Sequence, residues 1–566
     1  MKKIILWVVA FALVVGAAVA VFISVSTDEP KDLPQPIEDP IFVYANIEQL
    51  TTKGAFDKFI TPENRSLIAT MLSSQFGEDI DTEHLKSIIT NLDMIGIDTH
   101  SPIYGYLSNN LTDCVAVAHL SDRALLNRSI ALLLTLLAQS EVDVCEVENG
   151  DIRLLTCGDV ALAYNDSRIA CAFGQSKDST LDVVKSAITR PESDLTPFGT
   201  TDLALMVNAG RLISNAYAYV QNKTDKLNME FAEGYISEVN YNKEIGKLNS
   251  ANMLIDSYST YFNQDASLLL SATFDLGRAT LAYSSNGINF GEYAGLCKPT
   301  NQTHLSNIDK DSFAVISAGV DGKILAQLVR TLLSGDMLQS VGIKPTNEVN
   351  MFVSIACDAL STIDGGVTLA LENIDGEIKQ RYNYYWDEYT LEPSVKSLKA
   401  MLMADVTDTY IISNIAQFAG GFLRKVDATH YTLRLMNYNF SMGQDDNMFH
   451  LGVNMAPQTL TSSALDAEWA KDVEGAMGYM AVNVDALMAS KFMKSTNKYI
   501  TSQIMEEYRE LYNNATEAIS YICISADNLE SAEIVIVFDD KSVNALEHIN
   551  ALLLPTLVRE GVKSLY

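Results

Sequence analysis

The aromatic run from Tyr382 to Tyr389 is the part of the sequence best suited to contact a ligand. Tyr382, Tyr384 and Trp386 alternate with other residues, and Tyr389 follows shortly after. Alternating aromatic side chains on a strand can form a flat platform for a sugar or a peptide. The same residue types form strands readily and pack well across neighbouring strands, which makes a structural role the favoured interpretation. These four residues are the candidate ligand surface.

Motifs for catalysis or metal binding do not stand out. The sequence contains no HExxH, GxSxG, P-loop or GxGxxG pattern, and its seven histidines include no pair four residues apart. Residues 495–498 match S-x-x-K but lack the companion motifs of penicillin-recognising enzymes. The acid pairs Asp445-Asp446 and Asp539-Asp540 lie at predicted turns or strand ends, where carboxylates are usually solvated. We therefore predict no catalytic residue, no metal ligand and no cofactor.

Charge and composition limit the class of partner. The chain has 566 residues, a formal net charge of −31 and 48% hydrophobic residues, so it can bury sizeable cores and is not disordered. Binding to nucleic acid or to anionic lipid headgroups needs clustered lysine and arginine, which a strongly acidic chain disfavours. Nucleic-acid binding is therefore not expected.

An apolar segment near the N-terminus predicts the cellular location. Residues 4–25 carry no charge and are long enough to cross the hydrocarbon core of a bilayer. Lys2 and Lys3 precede the segment and Asp28 and Glu29 follow it, which predicts a cytoplasmic N-terminus and an extracytoplasmic body, in the periplasm or at the cell surface. A cleavable signal peptide is the alternative interpretation, because residues 18–20 fit a small-x-small cleavage site.

The segment after the apolar run is predicted to be a stiff spacer. Pro30, Pro34, Pro36 and Pro40 lie within it, together with several carboxylates. In polyproline II geometry of about 3.1 Å per residue, this stretch would hold the body roughly 40 Å from the bilayer.

One structural unit recurs beyond the spacer. It consists of a short β-rich run, a polar capping residue and a helix with apolar residues three and four positions apart. In three copies of similar sequence the capping position is occupied by an asparagine: Asn46, Asn208 and Asn483. Each is predicted to accept a hydrogen bond from a backbone N–H group. The asparagines therefore have a structural interpretation that needs no chemistry.

Antiparallel hairpins fill the sequence between these units. Period-two alternation predicts a β-meander over residues 142–173. Turns are predicted at residues 149–150, 165–167, 275–277, 375–376 and 443–447. Repeated strand-helix units with antiparallel hairpins and meanders indicate an α+β fold, to which one N-terminal transmembrane helix is added.

The predicted domain organisation follows from these features. The chain is divided into a cytoplasmic N-terminus (1–3), a transmembrane signal anchor (4–25), a proline-rich acidic spacer (26–40), a first α+β half (41–308) that includes a long helical segment (211–263), and a second α+β half (309–566).

Three stretches resemble a family of exported proteins from Bacteroidota-type bacteria, known as domain of unknown function 4836. They are residues 40–50, residues 96–104 and residues 365–371. The resemblance implies a cell-envelope protein, frequently a lipoprotein, with no established activity and no catalytic residues to transfer. This sequence departs from the family because its first cysteine is Cys114, so a lipidated N-terminal cysteine is excluded.

These observations favour a membrane-anchored, non-enzymatic binding or assembly role in the bacterial cell envelope. The expected partner is an envelope protein or a glycan, besides the membrane that residues 4–25 would enter. Two alternatives stay open at this point. One is a hydrolase of envelope polymers, and the other is a glycan-binding module that uses the candidate ligand surface.

Overall fold

The computed structural model describes most of the chain after the predicted spacer. The described residues are 39–59, 81–139, 144–174, 177–191, 198, 201–289, 291, 294–332, 347–383, 388–419, 421–435, 438–458 and 460–563. The predicted anchor at 4–25 lies outside them. Within the described part of the chain, no helix is long and apolar enough to cross a membrane.

The chain divides into two compact units. Unit 1 comprises Met1–Asn289 and Val543–Ala551, and unit 2 comprises Phe290–Ser542 and Leu552–Tyr566. The boundary predicted from the sequence lies between residues 308 and 309. Both units combine helices with an antiparallel sheet, so the predicted α+β class is confirmed.

Unit 1 contains ten described strands and seven described helices. The strands are β1 (Ile41–Ala45), β2 (Ile103–Leu107), β3 (Cys114–His119), β4 (Cys145–Asn149), β5 (Ile152–Cys157), β6 (Val160–Tyr164), β7 (Arg168–Phe173), β8 (Leu203–Asn208), β9 (Phe262–Asp275) and β10 (Arg278–Ile288). The helices are α1 (Ile47–Gly54), α2 (Phe56–Phe59), α3 (Thr82–Thr90), α4 (Arg123–Gln139), α5 (Lys177–Thr189), α6 (Ala209–Ala232) and α7 (Glu238–Ser259).

Unit 2 contains eleven described strands and six described helices. The strands are β11 (Cys297–Lys298), β12 (Ala314–Asp321), β13 (Ile363–Asn383), β14 (Glu388–Val406), β15 (Arg424–Lys425), β16 (His430–Leu435), β17 (Tyr438–Asp445), β18 (Met448–Val453), β19 (Gly478–Asn483), β20 (Ile519–Asn528) and β21 (Ser531–Phe538). The helices are α8 (Gly322–Leu332), α9 (Asn347–Leu360), α10 (Tyr410–Ala419), α11 (Val484–Ala489), α12 (Lys491–Gln503) and α13 (Glu506–Ala518), and a last helix, α14, spans Ala545–Lys563.

The two units share one strand order. Unit 1 is ordered β4-β5-β6-β7-β3-β2-β1-β8-β9-β10, with every neighbouring pair antiparallel. Unit 2 is ordered β15-β16-β17-β18-β14-β13-β12-β19-β20-β21, also antiparallel, and β11 pairs with the end of β12. Each of the ten described strands of unit 1 therefore has a counterpart at the same place in unit 2, where β11 is additional.

Capping and turn residues explain where the elements begin. Asn46, Asn208 and Asn483 each accept a hydrogen bond from the backbone N–H three residues later, at 3.1, 3.1 and 3.0 Å. The capping role predicted for them is confirmed. All but one of the predicted hairpin turns are also found between paired strands.

The turn predicted at residues 375–376 is wrong. These residues lie inside the long strand β13, where the register with β14 shifts between Asp375 and Gly376. An Asp-Gly pair suits a β-bulge as well as a turn, because a bulge also interrupts regular pairing. Continuous pairing with β14 on both sides of the shift keeps the strand extended.

Each unit buries one principal core against its sheet. In unit 1, Val115 and Val117 on β3 pack in a buried cluster with Val184 and Ile188 of α5. In unit 2, the equivalent strand β14 contributes Met401 and Met403, which are buried with the 3₁₀ segment Glu468–Val473.

Candidate functional site

Unit 2 contains a cavity of about 890 Å³. The loop before β12, the paired strands β13 and β14, the 3₁₀ segment Glu468–Val473 and the starts of α11 and α12 supply its walls. The charged residues that line it are Asp309, Lys310, Asp311, Glu372, Asp375, Lys399, Asp466, Glu468, Asp485 and Lys491. We call this space the acidic cavity.

The acidic cavity has a large excess of negative charge. Seven carboxylates and three lysines line it. Among the described residues, Glu468 is the one lining carboxylate with a lysine or arginine nitrogen within 4.0 Å, and that partner is Lys541. Four of the others, Asp309, Glu372, Asp466 and Asp485, accept hydrogen bonds from neutral groups, as Asp485 does from Ser520 at 2.7 Å. A cationic group entering the cavity would therefore gain favourable electrostatic interactions.

Glu372 is a half-buried carboxylate of the cavity lining. Burial raises the pKa of Glu372, although the backbone N–H of Asp309 donates a hydrogen bond to its Oε1 at 3.2 Å. Since a raised pKa means protonation at a higher pH, Glu372 loses its negative charge earlier on acidification than an exposed glutamate would.

A second polar group lies on strands β16, β17 and β18. His430, Gly443 and His450 pair in register across these strands, and Asp445 lies two residues after Gly443 on β17. The distance from His430 Nε2 to Asp445 Oδ1 is 3.1 Å, and that from His450 Nδ1 to Asp445 Oδ2 is 4.0 Å. Among the described residues, His430, Asp445 and His450 are the set that could hold a metal ion.

The pKa values of the two histidines in this group are shifted in opposite directions. Burial lowers the pKa of His450 to about 4. Burial also disfavours charge on His430, but the hydrogen bonds to Asp427 and Asp445 outweigh that effect and raise its pKa. His450 is therefore a neutral imidazole at pH 7.

A third polar group surrounds His304 and has the components of a catalytic relay. His304 Nδ1 is 2.9 Å from Thr368 Oγ1, its Nε2 is 3.2 Å from Asp405 Oδ1, and Thr368 Oγ1 is 2.8 Å from Ser317 Oγ. A hydroxyl, an imidazole and a carboxylate in sequence form such a relay in hydrolases. Here His304 and Thr368 are fully buried and Ser317 is nearly so, so a substrate cannot reach them. The group satisfies buried polar atoms and is structural.

The candidate ligand surface is only partly described. Tyr382 on β13 lies opposite Tyr389 on β14, and Tyr382 is half-buried. Tyr384 and Trp386 lie outside the described residues. The surface stays a prediction.

Sequence reasoning missed the acidic cavity and the group formed by His430, Asp445 and His450. The histidines lie in different strands, so no local spacing reveals them. One signal was available, because pairing about the predicted turn at residues 443–447 sets Gly443 opposite His450. The partner of His430 depends on a second register, which the sequence does not specify.

Comparison with known proteins identifies a family. No curated protein matches the chain. Solved structures of TP0453 show low similarity: crystal form I is 12% identical over 46% of this chain and 77% of that chain with a TM-score of 0.21, and crystal form III is 11% identical over 48% and 91% with a TM-score of 0.20. These scores carry no argument about fold or function. The model of the family described as Domain of unknown function (DUF4836) matches residues 35–546. This chain therefore belongs to the DUF4836 family.

Proposed function

We propose that this protein is held in a bacterial cell-envelope membrane by residues 4–25 and binds a basic segment of another envelope protein with its extracytoplasmic body. The location is supported by the uncharged N-terminal segment, the lysines before it and the acidic residues after it. The proline-rich spacer supports a body that reaches partners away from the bilayer.

The acidic cavity carries the binding proposal. Its volume of about 890 Å³ lies within the usual range of ligand pockets, about 300–1,000 Å³. Its lining carboxylates outnumber its lysines by seven to three. Lysine and arginine side chains of a partner would supply the missing positive charge and donate hydrogen bonds to the carboxylates.

A macromolecular partner is also supported by the helix pair α6 and α7 of unit 1. Helix α7 has no buried residue, and large apolar side chains on and beside it are exposed, among them Tyr235, Val239, Met253 and Leu254. Large exposed apolar patches mark sites of interaction with proteins, membranes or ligands, and a partner that packs against α7 would cover these side chains.

A binding titration tests the cavity directly. Purified full-length protein in detergent is titrated with a fluorescent octalysine peptide, and binding is followed by anisotropy. The triple substitution Asp309→Asn, Asp311→Asn and Asp466→Asn removes three exposed charges and keeps the side-chain shapes. At roughly 0.5 kcal/mol per exposed ion pair, the loss is about 1.5 kcal/mol, or about tenfold in Kd.

A control with the same change in net charge separates the cavity from the overall acidity. Asp151, Asp159 and Asp182 are exposed in unit 1, and replacing all three by asparagine should leave the Kd within about twofold at 0.15 M salt, where distant charges are screened. Equal weakening in both triple variants would refute specific binding in the cavity. In-cell crosslinking of the full-length protein then identifies the partner.

The hydrolase alternative receives no support from the buried group around His304. The glycan-binding alternative depends on the candidate ligand surface and is addressed by its own test below.

A further inference from the structure

The equivalent positions of unit 1 show that the fold does not need polar residues where unit 2 has histidines. On β14, β18, β17 and β16 of unit 2, one cross-strand row consists of Met403, His450, Gly443 and His430. The counterpart strands of unit 1 contain the row Val117, Ala170, Ala163 and Leu154, and all four residues are buried in the apolar core. Packing of the shared fold therefore does not require histidine at these positions.

Gly443 permits the two imidazoles to converge. A Cβ atom at position 443 would lie 2.8 Å from His430 Nε2 and also 2.8 Å from His450 Cε1. These separations are shorter than real Cβ contacts, so any side chain at position 443 would push the rings apart. The space above Gly443 is filled by the two rings, whose centroids are 5.5 Å apart.

His450 has a buried ring nitrogen without a hydrogen-bond partner in the described part of the chain. The residue is 3% exposed, and its Nδ1 makes no hydrogen bond with any described residue. Leaving a buried polar atom unpaired is energetically unfavourable, because its lost hydrogen bonds to water are not replaced. This nitrogen lies 4.0 Å from the carboxylate of Asp445, which is too far for a hydrogen bond.

Asp427 holds His430 in a matching orientation. Asp427 Oδ1 is 2.9 Å from His430 Nδ1, and the opposite ring nitrogen, Nε2, faces Asp445 at 3.1 Å. Metal-ligating histidines almost always donate their other ring N–H to a carboxylate or carbonyl in this way. Asp427 thereby favours the tautomer that leaves Nε2 free to bind a cation.

We propose that His430 Nε2, His450 Nδ1 and the Asp445 carboxylate bind one divalent transition-metal ion of the Zn²⁺ class. Two imidazoles and one carboxylate are a ligand set typical of zinc, whereas calcium and magnesium prefer oxygen ligands. The side chain of Asp445 is 58% exposed and that of His430 is 26% exposed, so a fourth coordination position faces solvent.

One of the ligand-atom separations already fits a small ion. Ligand distances of about 2.0 Å in tetrahedral geometry place two ligand atoms about 3.3 Å apart. The observed 3.1 Å between His430 Nε2 and Asp445 Oδ1 agrees with this value, and all three ligand atoms lie within 4.8 Å of one another. His450 Nδ1 is 4.0 Å from Asp445 Oδ2, so binding of an ion would draw the partly exposed side chains of Asp445 and His430 toward the buried His450.

Zinc titration of the full-length protein tests this site. The detergent-solubilised chain is treated with EDTA, dialysed and titrated with ZnCl₂ against a chromophoric chelator, and bound metal is counted by mass spectrometry. We expect one Zn²⁺ per chain. Asp445→Asn should weaken binding at least about 100-fold, and Asp427→Asn about 10–100-fold, the usual effect of losing an outer-shell carboxylate.

The neighbouring residue supplies the matched control. Asp446 is exposed and has a φ of 49°, a conformation that asparagine tolerates, so Asp446→Asn changes the same charge without removing a ligand. It should bind Zn²⁺ within about twofold of the parent protein. Circular dichroism establishes that each variant is folded.

Three results would overturn the proposal. They are the absence of stoichiometric Zn²⁺ in the parent protein, equal affinity in Asp445→Asn and Asp446→Asn, and binding of Ca²⁺ as tightly as Zn²⁺. The first two would mean that His430 shares protons with Asp427 and Asp445 without a metal, and the third would contradict the assigned metal class.

Discussion

The substitution Gly443→Ala tests the convergence of His430 and His450 through stability alone. In a strand interior, replacing glycine by alanine normally gains about 0.5–1 kcal/mol, because alanine loses less conformational entropy on folding. At position 443 the added methyl group would lie 2.8 Å from atoms of both imidazoles. His450 is buried and cannot move aside, so His430 must rotate and weaken its hydrogen bond to Asp427.

The expected magnitude follows from these opposing contributions. Overpacking a filled interior costs typically about 1–3 kcal/mol. This cost exceeds the entropic gain, so Gly443→Ala should lower the free energy of unfolding of unit 2. The entropic gain is common to both sites, so the difference from a glycine-to-alanine change at a position where the methyl group fits is the overpacking cost alone, about 1–3 kcal/mol.

Gly478 on β19 is such a position in the same unit. A Cβ atom there would meet Ser317 O at 3.7 Å, which is an ordinary contact. Urea unfolding of the parent protein, Gly443→Ala and Gly478→Ala compares the three in one transition of unit 2. Equal or greater stability of Gly443→Ala relative to Gly478→Ala would refute the convergence of the two rings and with it the geometry of the proposed metal site.

Three further outcomes are expected. Burial opposes ionisation of Asp405, but hydrogen bonds, the largest from His304, outweigh burial and lower its pKa. The stability that Asp405 contributes is therefore complete above its unfolded-state pKa of about 3.9 and is lost as the pH falls through the folded-state value. Urea midpoints measured from pH 6 to about pH 3 should consequently fall less in Asp405→Asn than in the parent protein. Replacing Trp386 and Tyr389 together by alanine should leave retention on immobilised polysaccharide unchanged if the aromatic run is structural, and a loss of retention would establish the glycan-binding alternative. The intact mass of the native protein should include residues 1–20, since a signal peptide would have been removed.

The sequence predicted the α+β class because the relevant signals are local. Capping by Asn46 and Asn483 depends on residues three positions away, and the turn at residues 443–447 depends on its own composition. Local signals also explain the error at Asp375-Gly376, where the same dipeptide serves as a bulge within a long strand pair.

The functional groups could not be predicted because long-range pairing assembles them. The row that joins His430 to His450 depends on the registers of β16, β17 and β18, and the acidic cavity combines residues from Asp309 to Tyr521. Neither register nor cavity shape follows from periodicity. In the sequence the histidines are scattered, and residue type alone does not indicate that two of them meet.

Because the two units share one strand order, unit 1 can serve as an internal control for experiments on unit 2. Any experiment on β16, β17 and β18 has a counterpart on β5, β6 and β7 of the same polypeptide, produced and purified in the same sample. On addition of Zn²⁺, backbone amide hydrogen exchange should slow in β16, β17 and β18 and stay unchanged in β5, β6 and β7. A ligand effect can thus be separated from changes in buffer, detergent or concentration without a second protein.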